Sequence, residues 1–392
     1  MLPKGWRNTI ISEACELING RGFKPHEWSR QGLPIIRIQN LNGSQEYNFY
    51  SGEFDKKILI QDGQLLFAWS GSKGTSFGPH IWNGPNGLLN YHTWKVLPKP
   101  SANILFLNQY FRYITSHIEN KSHGASALVH TQKGEMENIS ILLPPLPEQK
   151  KIAAILSTWD RAIEGTEKLL ANSQQQKKAL MQQLLTGKKR LPGFTGEWRN
   201  TSLYEICTLN PKSPKIEELT QISFIPMDGV SNDARISDVT TRAFKKENNG
   251  FSYFQKKDVL VAKITPCFEN GKGGYLNALP TQHGFGSTEF HVLRATADAD
   301  GKFIYYITTS ERFRILGEMN MQGSAGQKRV PKDFIERFSV NLPPLPEQKA
   351  IAAVLTTADE EITALESDLS RLRQEKKALM QQLLTGKIRV AV

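Results

Sequence analysis

Two stretches of this sequence decide the fold, and they are copies of each other. Residues 143–190 read LPPLPEQKKIAAILSTWDRAIEGTEKLLANSQQQKKALMQQLLTGKKR, and residues 342–389 read LPPLPEQKAIAAVLTTADEEITALESDLSRLRQEKKALMQQLLTGKIR. They align without a gap at an offset of 199, and 31 of the 48 aligned positions are identical. Self-similarity at this level indicates an internal duplication of the chain.

Each copy predicts one long helix with a defined beginning and end. Pro147-Glu148 and Pro346-Glu347 place a proline and a carboxylate where a helix begins, since the first turn needs no proline N–H and favours negative charge. Thr-Gly-Lys follows at 186–188 and 385–387, and glycine is a common C-terminal stop. Helix capping therefore explains the repeated Pro-Glu-Gln-Lys better than the end of a nuclease site does.

Apolar residues in both copies recur at alternating spacings of four and three, which is typical of a coiled coil. The first copy also places Thr166, Ser173 and Lys177 in this seam, and polar seam residues can fix the register. We expect the two copies to pair antiparallel within one chain; a coiled coil between two chains is the alternative. The predicted seam consists of Ile152, Leu156, Trp159, Ile163, Leu170, Leu180 and Leu184 in the first copy, and of Ile351, Leu355, Ile362, Leu365, Leu369, Leu372, Leu379 and Leu383 in the second.

A weaker repeat opens each half of the chain and defines the domain order. Trp6-Arg7-Asn8-Thr9 matches Trp198-Arg199-Asn200-Thr201. The predicted segments are a first variable domain (1–146), a central long helix (147–190), a second variable domain (191–345) and a C-terminal long helix (346–392). The interiors of the two domains diverge far more than the helices do. We therefore expect the two domains to have related functions on different targets.

The interiors predict an α+β fold with a mixed sheet in each domain. In both domains a buried strand is followed by a loop rich in glycine and small or polar residues, and a helix comes later. The predicted elements are strands at 34–41 and 63–69, a loop at 70–76 and a helix at 108–120, then strands at 224–227 and 258–263, a loop at 265–274 and a helix at 302–318.

Composition limits the possible functions. The chain has 392 residues and a formal net charge of +11, which favours an anionic partner, nucleic acid first. Its three cysteines are too few and too scattered for a disulfide framework or a zinc site. With no long apolar stretch and no apolar leader at the N-terminus, the sequence predicts a cytoplasmic protein.

The usual catalytic motifs are missing from the sequence. The loop at 70–76 lacks the Gly-Lys-Ser/Thr order of a P-loop, and Asn341-Leu342-Pro343-Pro344 is not the signature of an amino-methyltransferase. The histidines form no metal-binding pair and no nucleophile–base arrangement. We therefore expect no catalysis, no metal and no cofactor in this chain.

Polar residues on the predicted loops are the candidates for contact with DNA. Arginine and lysine suit guanine, asparagine and glutamine suit adenine, and small residues suit close approach to phosphate. An ordinary solvated turn is the alternative at 70–76. The candidates are Arg37, Gln39, Asn40, Ser70, Ser72, Lys73 and Lys133 in the first domain, and Lys263, Thr265, Asn270, Lys272, Lys328 and Arg329 in the second.

These features together resemble the specificity (S) subunits of type I restriction–modification systems, the HsdS family. The resemblance rests on the domain order, the twice-used LPPLPEQ helix start, the ALMQQLLTGK helix end and the Leu-Leu-Phe-Ala-Trp-Ser-Gly-Ser turn, and it covers nearly the whole chain. It implies two target-recognition domains, each reading one half of a bipartite DNA site. It also implies that the helices set the distance between the half-sites and dock two modification subunits.

The resemblance implies further partners and leaves two alternatives. S-adenosylmethionine would be bound by the modification subunits, which methylate adenine, and restriction subunits that translocate and cut DNA would complete the assembly. The divergent readers imply an asymmetric site. An interaction scaffold, whose coiled coil joins two protein-binding domains, is the alternative from another class. A self-contained methyltransferase or nuclease is disfavoured by the missing motifs.

Overall fold

The computed structural model describes residues 2–121, 128–324 and 326–391, and its contacts divide the chain into two compact units. Unit 1 is formed by Met1–Glu167 and Ser367–Val392, and unit 2 by Lys168–Glu366. Each unit therefore combines one divergent domain with parts of both long helices. The predicted segments, in contrast, give each long helix a segment of its own. The boundaries of these segments stay a prediction.

Unit 1 is built around two four-stranded sheets within its described residues. One has the strand order β2-β10-β6-β8 and is antiparallel; the other has the order β4-β3-β9-β5 and contains a parallel pair, β3 with β9. In chain order the elements are β1 (Arg7–Ile10), α1 (Ile11–Ala14), β2 (Cys15–Asn19), β3 (Leu33–Ile36), α2 (Ile38–Leu41), β4 (Asn48–Tyr50), β5 (Leu59–Ile60), β6 (Leu65–Ala68), β7 (Ser70–Ser72), β8 (Gly78–Ile81), β9 (Gly87–Leu89), β10 (Thr93–Pro98), α3 (Ile104–Lys121), β11 (Leu128–His130), α4 (Lys133–Glu137), β12 (Ser140–Leu143) and α5 (Leu146–Leu184).

Aromatic side chains fill the core of unit 1. Phe67 on β6 stacks on Trp94 of β10 with ring centroids 5.7 Å apart, and it meets Phe111 of α3 edge-on at 5.5 Å. Leu156 of α5 and Leu383 of the C-terminal helix are buried in the same cluster. Because burying apolar area drives folding, both long helices are needed to complete this core.

Unit 2 repeats this topology. Its sheets have the orders β14-β21-β18-β19 and β16-β15-β20-β17, and β15 pairs parallel with β20 as β3 does with β9. The duplication thus extends through the divergent interiors. The elements are β13 (Arg199–Ser202), α6 (Leu203–Ile206), β14 (Cys207–Leu209), β15 (Gln221–Ile225), β16 (Thr240–Ala243), β17 (Ser252–Phe254), β18 (Val259–Ala262), β19 (Gly273–Tyr275), β20 (Gly284–Gly286), β21 (Phe290–Ala295), α7 (Gly301–Thr309), α8 (Glu311–Met319), α9 (Lys332–Arg337), β22 (Ser339–Leu342) and α10 (Leu345–Leu383).

The two long helices each have 39 residues and begin where the sequence predicts. Each stops at a leucine, before the Thr-Gly-Lys end. Gly187 and Gly386 follow with φ of +75° and +71°, a left-handed conformation that glycine adopts without steric cost. The chain can then turn, and the N–H groups of Lys189 and Ile388 bond carbonyls in the last helical turn.

Contacts within each unit show that the helices pair antiparallel, which confirms the predicted arrangement. In unit 1, Asp160 and Glu167 of α5 bond Lys376 and Arg373 of α10. In unit 2, Ser173 and Lys177 of α5 bond Glu361 and Asp359 of α10. Residue numbers rise along one helix as they fall along the other. All the predicted seam residues are buried or half-buried, while most positions between them are exposed.

A buried glutamate at the start of each long helix explains why Pro-Glu-Gln recurs. The Glu148 side chain is 2% exposed, accepts a hydrogen bond from Trp6 Nε1 at 3.0 Å, and binds the Arg389 guanidinium through two bonds of 3.1 and 2.7 Å. Hydrogen bonding to Arg389 is the main cause that lowers the pKa of Glu148. Beyond helix capping, this carboxylate therefore joins three distant segments. Trp198, Glu347 and Arg190 repeat the arrangement in unit 2.

The strand predicted at 34–41 is half as long as expected. It ends at Ile36, and residues 38–41 form the short helix α2. Asn40 is the cause: its Oδ1 accepts a hydrogen bond from the Arg37 N–H at 3.0 Å, and its Nδ2 donates to two loop carbonyls beyond the helix. A short amide side chain that bonds the backbone in this way competes with strand pairing.

Two other predicted elements also differ in detail. The helix at 302–318 is broken at Ser310, whose hydroxyl accepts from the Phe313 N–H at 3.3 Å and caps α8. The loop at 70–76 begins as strand β7, and the loop at 265–274 ends in strand β19.

Candidate nucleic-acid interface

In unit 1, the segment after the buried strand β6 meets the segment that leads into α4. Strand β7 pairs antiparallel with β11, with Ser70 opposite His130. The Thr131 N–H donates to the Trp69 carbonyl at 3.0 Å. Lys133 begins α4 shortly afterwards and pairs with a carboxylate one helical turn later, at 3.5 Å. Predicted site residues far apart in sequence thus lie in neighbouring segments.

The turn after β7 is held by its own hydrogen bonds and by α3. Ser76 Oγ accepts from the Ser72 N–H at 2.7 Å. Glu119 of α3 binds both Lys73, through its carbonyl at 3.0 Å, and Gly74, through Oε1 at 2.8 Å. The exposed Lys73 therefore sits on an ordered turn. Its contact with DNA stays a prediction.

An aromatic cluster lies beside this junction, and the sequence reasoning missed it. The Asn90 N–H donates to the Ile36 carbonyl at the end of β3, and the His92 carbonyl accepts from the Trp69 N–H. The rings of Tyr91 and His92 are tilted by 39° with their centroids 3.7 Å apart, and Trp69 Nε1 donates to the Tyr91 carbonyl at 2.8 Å. Tyr91 is 47% exposed, so its ring is accessible for base stacking. The one signal in the sequence was that these rings follow directly after apolar strands.

The three candidates after β3 have different environments. Arg37 is half-buried, and its guanidinium carbon lies 5.4 Å from the centroid of the Trp28 ring. Gln39 is exposed. Asn40 is 5% exposed, and the bonds that end β3 occupy its amide. The structure therefore corrects Asn40 from a base-reading candidate to a residue that shapes the loop, because its polar groups are already satisfied internally.

In unit 2, the corresponding segments also meet. The Val330 N–H donates to the Lys263 carbonyl at 2.8 Å, and the Thr265 N–H donates to the Lys328 carbonyl at 2.9 Å. Residues 263–265 and 328–330 thus run antiparallel, and four predicted candidates, including Arg329, lie on these two short segments.

Arg329 is held by a carboxylate that the sequence reasoning did not single out. Its Nε and Nη2 donate to the two oxygens of Glu289 at 2.9 and 2.8 Å. The bond from Arg329 is the largest cause that lowers the pKa of Glu289, and the charge of Lys263 lowers it further. Glu289 also joins the corner through its backbone, because its carbonyl accepts from the Lys263 N–H at 2.9 Å.

The other candidates of unit 2 lie on the loop after β18. Asn270 is exposed. Lys272 is half-buried and donates to the Met227 carbonyl at 3.0 Å, so its ammonium group already has one partner in the unit.

The Arg314 side chain holds the backbone of this loop through two hydrogen bonds. Its Nη1 and Nη2 donate to the carbonyls of Phe268 and Gly271, both at 3.2 Å, and its guanidinium carbon lies 4.9 Å from the centroid of the Phe268 ring. Burial lowers the pKa of Arg314 to about 10. Its role is to fix the loop backbone rather than to present a charge at the surface.

The two units therefore place different chemistry at the same corner of the same topology. The corner is where β6 or β18 ends, beside the segment before α4 or α9. Equivalent backbone bonds match three positions, which are Trp69 with Lys263, His92 with Glu289, and His130 with Arg329.

Within residues 2–121, 128–324 and 326–391, no group of three or more His, Cys, Asp or Glu side chains has an arrangement that could hold a metal ion. In the same described residues, no helix is both long and apolar enough to cross a membrane.

A family model described as type I restriction modification DNA specificity domain matches the chain twice, at residues 3–172 and 195–372. The chain belongs to this family. The two matches correspond to the two halves of the internal duplication, as expected for a specificity-domain protein with two copies of the domain.

Relatives and solved structures agree with this membership. The chain is 39% identical over 156 residues to the EcoAI specificity subunit of Escherichia coli, an alignment of 39% of this chain and 26% of that protein. The chain spans about a quarter of the length of this relative and of the EcoEI specificity subunit of Escherichia coli. The putative MjaX specificity subunit of Methanocaldococcus jannaschii is 24% identical, over 99% of this chain and 95% of its own.

The solved S subunit of the M. genitalium type I restriction–modification system has the same fold. It superposes with a TM-score of 0.59 over 97% of this chain and 96% of its own, at 13% identity. A chain from a structure of type I system assembly and conformational transition gives 0.56, at 18% identity, over 99% of this chain and 100% of its own.

Proposed function

We propose that this protein is the DNA-specificity subunit of a type I restriction–modification complex and has no catalytic site of its own. Each unit reads one half of a bipartite, asymmetric DNA site, and the corner beside β6 or β18 faces the bases. Family membership supports the class of function, and the described geometry supports the location.

The observation that carries the proposal is the shared corner with different side chains. A duplicated fold that kept its topology but exchanged aromatic residues for an arginine–glutamate pair fits two readers of different sequences. Lysine and arginine at such a corner suit both phosphate and guanine, while exposed rings suit stacking or thymine methyl contacts. The net charge of +11 favours DNA as the common ligand.

The long paired helices are proposed to set the spacing of the half-sites and to dock two modification subunits. Two weak readers joined by a stiff element bind tightly only when both half-sites are correctly spaced. The modification subunits would bind S-adenosylmethionine and methylate adenine, and restriction subunits would join them to cut DNA. This chain itself would bind no cofactor, and the complex would act in the cytoplasm.

The test is to co-express the chain with its modification subunit and map methylated adenines across a genome. We expect one split motif with a fixed gap. Lys73→Ala in unit 1 and Lys263→Ala in unit 2 should each weaken recognition of one half of that motif. Lys256→Ala is the matched control, because it removes a positive charge just before β18, at the end away from the corner.

Two outcomes would contradict the proposal. A stable complex that neither methylates nor binds duplex DNA would favour the protein scaffold instead. Binding of S-adenosylmethionine by the isolated chain would indicate a self-contained methyltransferase.

A further inference from the structure

The Arg329 guanidinium of unit 2 has an unusual combination of partners and exposure. Its side chain is 45% exposed, although three of its nitrogen donors are already engaged. Nε and Nη2 bind Glu289 side-on, and Nη1 donates to the Gln327 carbonyl at 3.3 Å. The backbone on both sides is fixed, since Arg329 pairs with Ile264 and Gln322 in isolated bridges.

Two of the five N–H groups of the Arg329 guanidinium have no partner among the described residues of unit 2. An arginine has five N–H groups in one plane. Glu289 takes the Nε hydrogen and one Nη2 hydrogen. Because Gln327 lies two residues back on the same backbone, its carbonyl takes the Nη1 hydrogen that faces the chain. The two remaining hydrogens, one on each terminal nitrogen, point in parallel from the end of the guanidinium.

Two parallel donors at this spacing match two classes of acceptor in DNA, a phosphate and the N7/O6 edge of guanine. The Glu289 carboxylate discriminates between them. It neutralises the guanidinium and would itself repel a phosphate brought to the same place, whereas the guanine edge carries no net charge. The Arg329 bond holds the pKa of Glu289 below its usual range, so this carboxylate is ionised at neutral pH.

We infer that Arg329 reads one guanine through its two end-on donors, and that Glu289 is the positioning residue that aims them. The inference rests on the proposed function and adds a specific base to it: the half-site of unit 2 contains a G·C pair at the position that Arg329 reaches. Unit 1 has His130 at the equivalent position, so this contact is particular to unit 2.

The experiment uses the full chain in complex with its modification subunit. After the methylated motif is mapped, duplexes carrying 7-deazaguanine at each motif guanine in turn compete for binding. This base lacks N7, whereas inosine keeps N7 and O6 and serves as the control base. For the wild-type complex, one guanine in the unit 2 half-site should lose about 10- to 100-fold in affinity with 7-deazaguanine and little with inosine.

Three substitutions make the assignment specific. Arg329→Ala should lose about the same factor on the normal site and become insensitive to 7-deazaguanine at that one position. Arg329→Lys should recover only part of the discrimination, since lysine can bond guanine but has no fork to bind Glu289 and both guanine acceptors together. Glu289→Gln should weaken discrimination at the same guanine only, with discrimination elsewhere unchanged. Lys256→Ala should behave as wild type at every guanine, and thermal unfolding confirms that each variant is folded.

The salt dependence separates a base contact from a phosphate contact. A guanine contact leaves the slope of log affinity against log salt unchanged in Arg329→Ala, whereas a lost phosphate contact lowers it by about 1. A uniform loss of affinity with a smaller slope, or a unit 2 half-site without guanine, overturns the inference while the proposed function stands. A wild-type complex without any sequence preference overturns both.

Discussion

The Asp160→Asn substitution tests how the polar residues of the helix seam are held in unit 1. Asp160 of α5 accepts from Lys376 of α10, from Gln109 Nε2 at 2.6 Å and from Arg112 Nη1 at 3.3 Å. The Lys376 side chain is only 10% exposed, and Asp160 is its counter-ion. Burial by itself raises the pKa of Asp160, but the bond from Lys376 and its other partners lower it overall.

The two ends of this ion pair should respond unequally to substitution. Asp160→Asn removes the negative charge and leaves a buried ammonium with Arg112 as a positive neighbour. Breaking a buried pair in this way costs about 3–5 kcal/mol, and since Asp160 is 29% exposed we expect about 3 kcal/mol. Lys376→Met leaves Asp160 with Gln109 and Arg112 and puts an apolar chain in the seam, so about 1 kcal/mol is expected.

Urea unfolding of the full chain, followed by tryptophan fluorescence, measures these costs. Six of the seven tryptophans lie in unit 1, so the signal reports mainly on that unit. The double variant should be more stable than Asp160→Asn alone, because no buried charge is left without a partner. Asp368→Asn, at an exposed pair on α10, is the control and should change the unfolding free energy by less than about 0.5 kcal/mol. A larger loss for Lys376→Met than for Asp160→Asn would refute this reasoning.

Three further predictions concern packing, thiol reactivity and pH. Leu355→Ala, at a fully buried seam position in unit 2, should cost about 2–5 kcal/mol in urea unfolding, whereas Leu169→Ala, 57% exposed, should change stability by less than about 0.5 kcal/mol; equal effects would contradict the seam assignment. A thiol reagent at mildly alkaline pH should label only the partly exposed Cys267, because burial raises the pKa of each of the other two cysteines to about 12. Mass spectrometry counts the labels, and more than one label on the folded chain would be inconsistent with the burial of Cys15 and Cys207. Because the folded pKa of Glu148 is lowered, its contribution to stability is complete above the ordinary value of 4.5 and is lost as pH falls through the folded pKa. Wild type and Glu148→Gln should therefore converge in stability at acid pH, with the exposed Glu167→Gln as the control. A stability difference that stays constant across pH would show that the ion pair does not contribute.

Much of the fold could be predicted from the sequence because its signals are local. The repeated heptads, the proline at each helix start and the glycine after each helix end are readable over a few turns of chain. They gave the two helices, their seam and, through the duplication, their antiparallel pairing. The order of strand, loop and helix within each domain was also predicted, although Asn40 shortened one strand and Ser310 divided one helix through side-chain bonds to the backbone.

The candidate site could be predicted only in part. The lysine candidates after buried strands were chosen because such segments often carry function, and their contact with DNA stays a prediction. Ser70 and Ser72 lie on strand β7 and not on the predicted loop. Glu289 gave no signal of its own, and the Tyr91–His92 pair gave only its position directly after an apolar strand, because the role of both depends on neighbours from other strands. Lys272 and Lys73 were correctly placed on loops, but their bonds within the unit could not be foreseen.

The sequence alone determined that this chain is duplicated, that each copy ends in a long helix with an apolar seam, and that it resembles the specificity family to which it belongs. Those properties can be recognised from the spacing of residues over a few turns of helix or from the alignment of the two copies. Only the tertiary structure decided that Arg329 is held by Glu289 and that Glu148 joins Trp6 to Arg389. Such pairs lie far apart in sequence, and strand register and helix pairing, set by the burial of the whole core, bring them within hydrogen-bonding distance.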